Sequence, residues 1–246
     1  MTETEKKAVG RYLDWHTGIL LETDGKMGIY RKESGKLIYK EKADSEDGYL
    51  GMYLFLMVKY LEKTESTDLP EYWKKGISLA LKKIQSLMRD GITQVSEENT
   101  TAYLMDNLEV WKGLYELEHA GLKDVQAIRE MRNKLQAQIE KLFWDDANQR
   151  WRIIGNSDLY DQTEFYPDGV AQIYPLIYEF PVKEKKKQKI LYKQFTERFQ
   201  WQKLTKKRNG FLWAMTGMAA AQMGDINNLV ELIGNYETEY CENRKY

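Results

Sequence analysis

Acidic and aromatic side chains recur together at the start of apolar stretches of this chain. They do so in Asp44–Tyr49, Tyr103–Trp111 and Phe165–Gln172, whereas a fourth such segment, Arg208–Trp213, contributes aromatic residues but no acid. Hydrolysis of a glycosidic bond needs two carboxyl groups, one to protonate the leaving oxygen and one to activate water or attack the sugar. Aromatic rings with a polar edge suit the faces of sugar rings. If folding brings these segments to one place, their side chains could bind and cleave a carbohydrate.

Three acids are the candidates for catalysis. We expect Asp47, Asp106 and Asp168 to supply the acid and the base, in an order that the sequence does not assign. The side chains expected to contact the sugar are Tyr49, Tyr103, Asn107, Glu109, Trp111, Tyr166, Gln172 and Trp213. The separation of two carboxyl groups decides between retention and inversion. The sequence does not contain that distance, and it names neither the sugar nor the linkage.

Each acid also has a structural interpretation. An Asp at the start of a helix commonly caps backbone N–H groups and favours the helix dipole, which would account for Asp47 or Asp168 taken singly. Asp106 lies inside an apolar helix, where a carboxylate is costly unless it is paired or hydrogen-bonded. Its role could therefore be to hold a neighbouring loop. The aromatic residues, taken singly, are typical of a core.

Other chemistries have little basis in the sequence. It contains no Gly-rich phosphate loop, no His/Cys cluster with zinc spacing and no G-x-S-x-G elbow. The two histidines, His16 and His119, are expected to be structural. The Asp145–Asp146 pair is followed by residues typical of a turn. We therefore predict no metal and no cofactor.

Composition is that of an ordinary globular protein. The 246 residues suit one domain covering residues 1–246, and a net charge of -1 argues against a nucleic-acid partner. The single Cys241 cannot form an internal disulfide. The most apolar stretch, Gly210–Gly224, is shorter than the ~20 residues that cross a bilayer. With no apolar signal core in residues 1–10, we expect a cytoplasmic protein without a membrane partner, unless a segment upstream of Met1 is missing from the sequence. The oligomeric state is not predicted.

Hydrophobic periodicity predicts one helix, a small β-hairpin and then four pairs of helices. The first helix is Thr4–Leu21, and the hairpin surrounds Glu33–Gly35. The pairs are Asp47–Glu62 with Pro70–Arg89, Thr101–Leu117 with Leu122–Phe143, Asp168–Glu179 with Lys183–Phe199, and Asn209–Met223 with Asp225–Asn235. In each pair the first helix is apolar nearly all round and the second has one apolar stripe. Pro175 is expected to kink or delay its helix.

This alternation predicts an all-α fold with two layers, because a helix that is apolar on every side must be enclosed. An (α/α) toroid of helical hairpins has this pattern, with inner helices surrounded by outer ones. A solenoid or bundle is the alternative, although the hairpins begin at the uneven positions 47, 101, 168 and 209. In a toroid the long outer-to-inner links share one face, at the N-terminal ends of the inner helices. Binding and catalytic residues commonly occupy such loops.

These motifs resemble those of the six-hairpin glycosidase superfamily, and more narrowly those of a related bacterial glycosidase-like group. Asp44–Tyr49 is similar to the group's Asp-Ser-x-Asp-Ser-Tyr opening. Tyr103–Val110 matches a Tyr-Leu-Met-Asp-Asn-x-Glu-Val segment, and Phe165–Gln172 is similar to Trp-Tyr-Pro-Asp-x-Val-Ala-Gln. The chain departs at Gly48, where the pattern has Ser, and at Phe165, where it has Trp. The layout is also similar to that of family 8 glycoside hydrolases.

The resemblance implies a toroid with a carbohydrate-sized cleft and a glycoside hydrolase acting on an oligo- or polysaccharide. A complete toroid has twelve helices, whereas about nine are predicted here, with one or two small β-hairpins in the loops. In family 8 enzymes the general acid comes from an early helix, so an incomplete ring would lack it. A non-catalytic carbohydrate-binding protein and a helical scaffold that binds another protein therefore remain as alternatives.

Overall fold

A computed structural model describes residues 1–66, 69–155, 157–161, 163–182, 185–204 and 213–242 of the chain. Its described residues form nine α-helices: α1 (Glu3–Glu22), α2 (Glu46–Thr64), α3 (Glu71–Leu87), α4 (Leu104–Ala120), α5 (Val125–Phe143), α6 (Val170–Ile177), α7 (Lys185–Phe199), α8 (Met215–Met223) and α9 (Ile226–Tyr236). Three antiparallel strand pairs join them: β1 (Gly28–Glu33) with β2 (Lys36–Lys42), β3 (Met88–Arg89) with β4 (Ile92–Thr93), and β5 (Trp144–Asp145) with β6 (Arg150–Trp151).

The predicted all-α class and the order of the helical hairpins are confirmed. The predicted first β-hairpin is present as β1 and β2, and two shorter strand pairs follow α3 and α5. Helix α6 is shorter than predicted, because an irregular turn at Phe165–Gly169, in which Tyr166 is extended, precedes it. Pro175 lies inside α6. Two predicted helix starts lie outside the described residues: Asn209, for the fourth inner helix, and Lys183, for the third outer helix.

The chain forms two compact units, Met1–Leu142 and Phe143–Tyr246. In the first unit α2 and α4 bury side chains on all sides, whereas α3 and α5 bury one stripe each. This is the predicted difference between inner and outer helices. In the second unit every residue of α6 is buried, whereas Leu232 is the one buried residue of α9. Within the described residues, no helix is long and apolar enough to cross a membrane.

Glycines bring α2 and α4 into close contact in the first unit. A Cβ atom at Gly51 would stand 2.6 Å from the Cα atom of Val110, and one at Gly113 would collide with the carbonyl oxygen of Gly51. No larger residue fits at either position without moving a helix backbone. The two helices therefore run with their N-terminal ends side by side, and the acidic residues of their first turns face each other.

Candidate active site

Four carboxyl groups lie together at the N-terminal ends of α2 and α4. We call them the acid cluster: Asp44, Asp47, Asp106 and Glu109. Ser45 caps α2, because its Oγ accepts a hydrogen bond from the Gly48 N–H at 3.2 Å. The cluster is thus held by a capped helix on one side and by the first turns of α4 on the other.

Asp47 is the enclosed member of the cluster, with 0% of its surface exposed. Its Oδ2 accepts a hydrogen bond from Thr93 Oγ1 at 2.7 Å, and its Oδ1 lies 3.3 Å from Ser45 Oγ. Burial raises its pKa, although the hydrogen bonds from Thr93 and the first turn of α2 oppose that shift. Asp47 cannot contact a ligand from this position, but its negative charge acts on the neighbouring carboxyl group of Asp106.

Asp106 favours its protonated form. Burial raises its pKa to about 8, and the negative charges of Asp47, Glu109 and Asp44 add to the shift. A hydrogen bond with Ser45 acts in the opposite direction and is outweighed. Unlike Asp47, Asp106 is only half-buried. A half-buried carboxyl group that is protonated at neutral pH can donate a proton to a bound molecule.

Glu109 follows Asp106 by one helical turn on the same face of α4. Its Oε2 atom lies only 2.6 Å from the place that a Cβ atom would take at Gly48. The glycine at position 48, where the related motif has Ser, therefore leaves room for this carboxylate against α2. Glu109 is half-buried, so the cluster has two half-buried acids, Asp106 and Glu109, beside the exposed Asp44.

Aromatic residues flank these two acids. Tyr49 is 39% exposed, and burial together with the charges of Asp44 and Glu109 raises the pKa of its hydroxyl group. Tyr103 is the half-buried residue that precedes α4, and its carbonyl oxygen accepts a hydrogen bond from Asn107. The structure thus brings Asp47, Asp106, Glu109 and Tyr49 together at the N-terminal ends of α2 and α4.

Asn107 makes its hydrogen bonds to the protein backbone instead of facing an open space. Its Oδ1 accepts from the Thr93 N–H at 2.8 Å, and its Nδ2 donates to the carbonyl oxygens of Thr93 at 3.1 Å and Tyr103 at 2.8 Å. The side chain is fully buried. It fastens β4 to α4, and in doing so it places the Thr93 hydroxyl against Asp47.

Gln172 makes the same kind of contact in the second unit. Its Oε1 accepts from the Trp151 N–H at 2.8 Å, and its Nε2 donates to the Trp151 carbonyl oxygen at 2.9 Å. One turn earlier, Asp168 is buried, and its Oδ1 accepts from the Asp161 N–H at 2.7 Å. Both side chains therefore hold backbone in the segment that leads into α6.

The remaining candidate residues differ in their exposure. Trp111 is 1% exposed, and its ring stacks on Tyr115 with 5.2 Å between centroids, so neither face is open. Tyr166 is exposed in the second unit. Trp213 is half-buried and stacks on Tyr174 at 6.0 Å. The segment Arg208–Leu212 lies outside the described residues.

Two contributors to the acid cluster were not predicted as site residues. Ser45 lies inside the recognised Asp44–Tyr49 motif, and its spacing of three residues before Gly48 is the signal of an N-cap. Thr93 lies on β4, a two-residue strand that periodicity cannot reveal. In the described part of the chain, no group of three or more His, Cys, Asp or Glu side chains could hold a metal ion.

A separate cleft of about 590 Å³ lies in the second unit, beside Gln172. Its polar walls include Arg150 and Arg198, with the Arg150 guanidinium 4.2 Å from the centre of the Tyr160 ring. Arg150 also donates to the carbonyl oxygen of Asp158 at 3.3 Å. Of the three candidate acids, Asp168 is the one that belongs to this unit.

The chain is similar to solved glycosidase structures. A wild-type glycosidase matches with a TM-score of 0.68 and 14% identity, over 97% of this chain and 70% of the glycosidase chain. A glycosidase variant with a Glu-to-Ala substitution, in complex with glucose, matches with a TM-score of 0.65 and 13% identity, over 95% and 69% of the two chains. A GH78 family rhamnosidase of Bacillus sp. GL1 matches with a TM-score of 0.57 and 12% identity, over 94% of this chain and 24% of the rhamnosidase.

These similarities establish the fold alone. Sequence identities between 12% and 14% are too low to establish a function. The chain has the helical fold found in glycosidases, in agreement with the class predicted from the alternating helices. The chain matches no protein-family model, and no curated protein matches its sequence.

Proposed function

We propose that this protein is a glycoside hydrolase that acts on an oligo- or polysaccharide, with its catalytic acid in the acid cluster. The observation that carries the proposal is the position of the half-buried Asp106 carboxyl group beside Asp47 and Glu109, where burial and their charges raise its pKa to about 8. The glycosidase-like fold and the resemblance of the Asp44, Tyr103 and Phe165 motifs to the six-hairpin glycosidase superfamily support it.

In this proposal the acids of the cluster have different roles. Asp106 protonates the glycosidic oxygen as the bond to the sugar carbon breaks, which keeps the leaving group neutral. Glu109 is the second carboxyl group, which activates water or attacks the sugar carbon directly. Asp47 is a positioning residue, because its enclosed charge keeps the proton on Asp106. Tyr49 supplies a partly exposed ring beside the reacting groups.

The experiment is hydrolysis of neutral trisaccharides and of the corresponding 4-nitrophenyl glycosides by the full chain. Asp106→Asn should lower kcat/KM on the trisaccharides by about 10²- to 10⁴-fold, the usual contribution of a general acid. Nitrophenolate leaves without help from an acid, so the loss on the aryl glycoside should be smaller. Glu109→Gln should be impaired on both kinds of substrate.

Glu130→Gln is the matched control, since Glu130 is an exposed carboxylate on α5 whose Oε1 pairs with Gln126. It should hydrolyse both substrates like the unmodified chain. Melting temperatures of all variants separate a loss of catalysis from a loss of folding. If Asp106→Asn and Glu109→Gln both keep full activity, this assignment of roles is wrong.

Carbohydrate binding without turnover is the second candidate function. It is favoured by the complete burial of Asp47, one of the three acids expected to take part in catalysis. It predicts that the chain binds a trisaccharide but releases no reducing sugar, and that Asp106→Asn binds as tightly as the unmodified chain. Hydrolysis that depends on Asp106 would exclude it.

A further inference from the structure

The first unit contains a polar pocket between the β1–β2 hairpin, the first turn of α2 and the loop at Ser96. Its volume is about 240 Å³. We call it the hairpin pocket. Its lining includes Tyr30, Tyr39 and Glu46, with Lys26 and Lys42 at its sides. None of these residues belongs to the acid cluster.

Glu46 is a buried carboxylate that faces this pocket. It is 6% exposed, and its backbone N–H donates to the Val95 carbonyl oxygen at 2.9 Å. Among the described residues, no group donates a hydrogen bond to its side chain. Burial raises the pKa of Glu46, and the charge of Lys83 opposes the shift. The Glu46 side chain lines the pocket, so its carboxylate oxygens can accept hydrogen bonds from hydroxyl groups of a bound molecule.

The charges around Glu46 balance. Lys83 pairs with Glu97 at 2.6 Å, and Lys42 pairs with Glu98. Lys26 is the third lysine that acts on Glu46, so three lysines stand against three glutamates. Charges of both signs, largely paired with each other, give little preference to an anion or a cation. The pocket favours a neutral molecule that is rich in hydroxyl groups.

Part of the pocket lining is aromatic. Tyr30 and Tyr39 are paired across the hairpin, and their rings meet edge to face with 5.7 Å between centroids. A Cβ atom at Gly28 would collide with the Tyr39 ring, so glycine at this position lets the ring lie across β1. Tyr39 remains 52% exposed. An exposed aromatic face beside carboxylate and lysine groups can stack on one face of a sugar ring while the polar groups bind its hydroxyls.

We propose that the hairpin pocket binds one neutral sugar ring of the glycan, with Tyr39 against the ring face and Glu46 accepting hydrogen bonds from its hydroxyl groups. This inference rests on the proposed function. Glu46 directly precedes Asp47 in the first turn of α2, so the pocket and the acid cluster lie on different sides of one helical turn. The substrate is then a neutral glycan of at least two sugar units.

Calorimetric titration with cellotriose, maltotriose and mannotriose tests the pocket. The full chain carrying Asp106→Asn is used, so that turnover does not consume the probe. At least one trisaccharide should bind, and adding Glu46→Gln or Tyr39→Ala should weaken its binding at least tenfold. Trigalacturonate, the acidic probe, should bind more weakly than the best neutral trisaccharide.

Two matched substitutions outside the pocket are the controls. Glu71→Gln and Tyr72→Ala change an exposed carboxylate and an exposed tyrosine in the first turn of α3, and both should bind the trisaccharide as before. The proposal is overturned if none of the three neutral trisaccharides binds, if trigalacturonate binds best, or if Glu46→Gln and Tyr39→Ala bind like the controls.

The outcome is independent of hydrolysis. If the chain binds a trisaccharide through Glu46 and Tyr39 but the unmodified chain does not cleave it, the proposed function fails and the pocket stands. If the chain cleaves glycans but neither substitution weakens binding, the pocket fails and the proposed function stands.

Discussion

At the scale of single residues, the acid cluster shows how one carboxyl group can control another. Ser45 and Thr93 donate hydrogen bonds to the buried carboxylate of Asp47, which therefore does not contact water. Its negative charge therefore acts on Asp106 over a short, buried path, where charges interact more strongly than in water. The result is a pair of neighbouring acids in which the more accessible member carries the proton.

This arrangement predicts a pH dependence. If Asp106 is the acid, kcat/KM should fall as the pH rises through about 8, because the catalytic proton is lost. Asp47→Asn removes a negative charge that raises the pKa of Asp106, so the fall should begin at a lower pH, by on the order of one pH unit. The measurement is the pH profile of kcat/KM for both proteins.

The profile of Glu130→Gln, which removes a distant exposed charge, should overlay that of the unmodified chain. A decline that stays in place in Asp47→Asn, or that moves to higher pH, contradicts the role of Asp47.

At the scale of elements, the two units share a device that joins a β-hairpin to the next buried helix. The carboxamide of Asn107 on α4 pairs with the N–H and C=O of Thr93 on β4. The carboxamide of Gln172 on α6 pairs in the same way with Trp151 on β6. Each amide completes an edge strand of only two residues, which has no further strand to pair with. The loops around the helix starts are thus held by side chains.

Removal of either amide should destabilise the protein. Asn107→Ala leaves the backbone N–H and C=O groups of Thr93 without their partners, and we expect a loss of roughly 2–4 kcal/mol in the free energy of unfolding. Gln172→Ala should have an effect of similar size through Trp151. Chemical denaturation measures both.

Gln126→Ala is the control, because Gln126 is an exposed amide on α5, and its effect should stay within about 0.5 kcal/mol. If Asn107→Ala melts like the unmodified chain and changes only sugar binding, the amide serves a ligand and not β4.

At the scale of the whole molecule, stability depends on which groups are enclosed as the chain folds. His16 is buried among the rings of Tyr12, Trp15 and Tyr53, and neither ring nitrogen has a hydrogen-bond partner in the described residues. Burial lowers its pKa from 6.5 to about 4. The unfolded chain therefore binds a proton at a pH where the folded chain does not, so His16 destabilises the fold as the pH falls from 6.5 to about 4.

His16→Phe should remove this penalty. Asp106 acts in the opposite direction, because its raised pKa favours the folded state as the pH falls through about 8, so the test compares two proteins rather than one slope. Relative to the unmodified chain, His16→Phe should gain about 3 kcal/mol in unfolding free energy between pH 7 and pH 4.

Denaturant titrations at several pH values measure the gain. His119→Gln changes the other, exposed histidine and keeps His16, so it should retain the penalty. A stability difference between His16→Phe and the unmodified chain that does not change with pH would show that His16 is already solvated or paired.

The sequence by itself determined the helices, their alternating burial and the acids at their starts, because these depend on local periodicity and on residue type. The sequence also identified Asp106 as a carboxylate inside an apolar helix, where it must be paired or hydrogen-bonded. Only the tertiary structure decided what each polar group faces. Asn107 and Gln172 turn to two-residue strands too short to carry a periodic signal, and Trp111 is enclosed by its neighbours. Asp47 is fully buried and Glu109 fits beside α2, because glycines at 48, 51 and 113 let α2 and α4 approach more closely than any local pattern indicates.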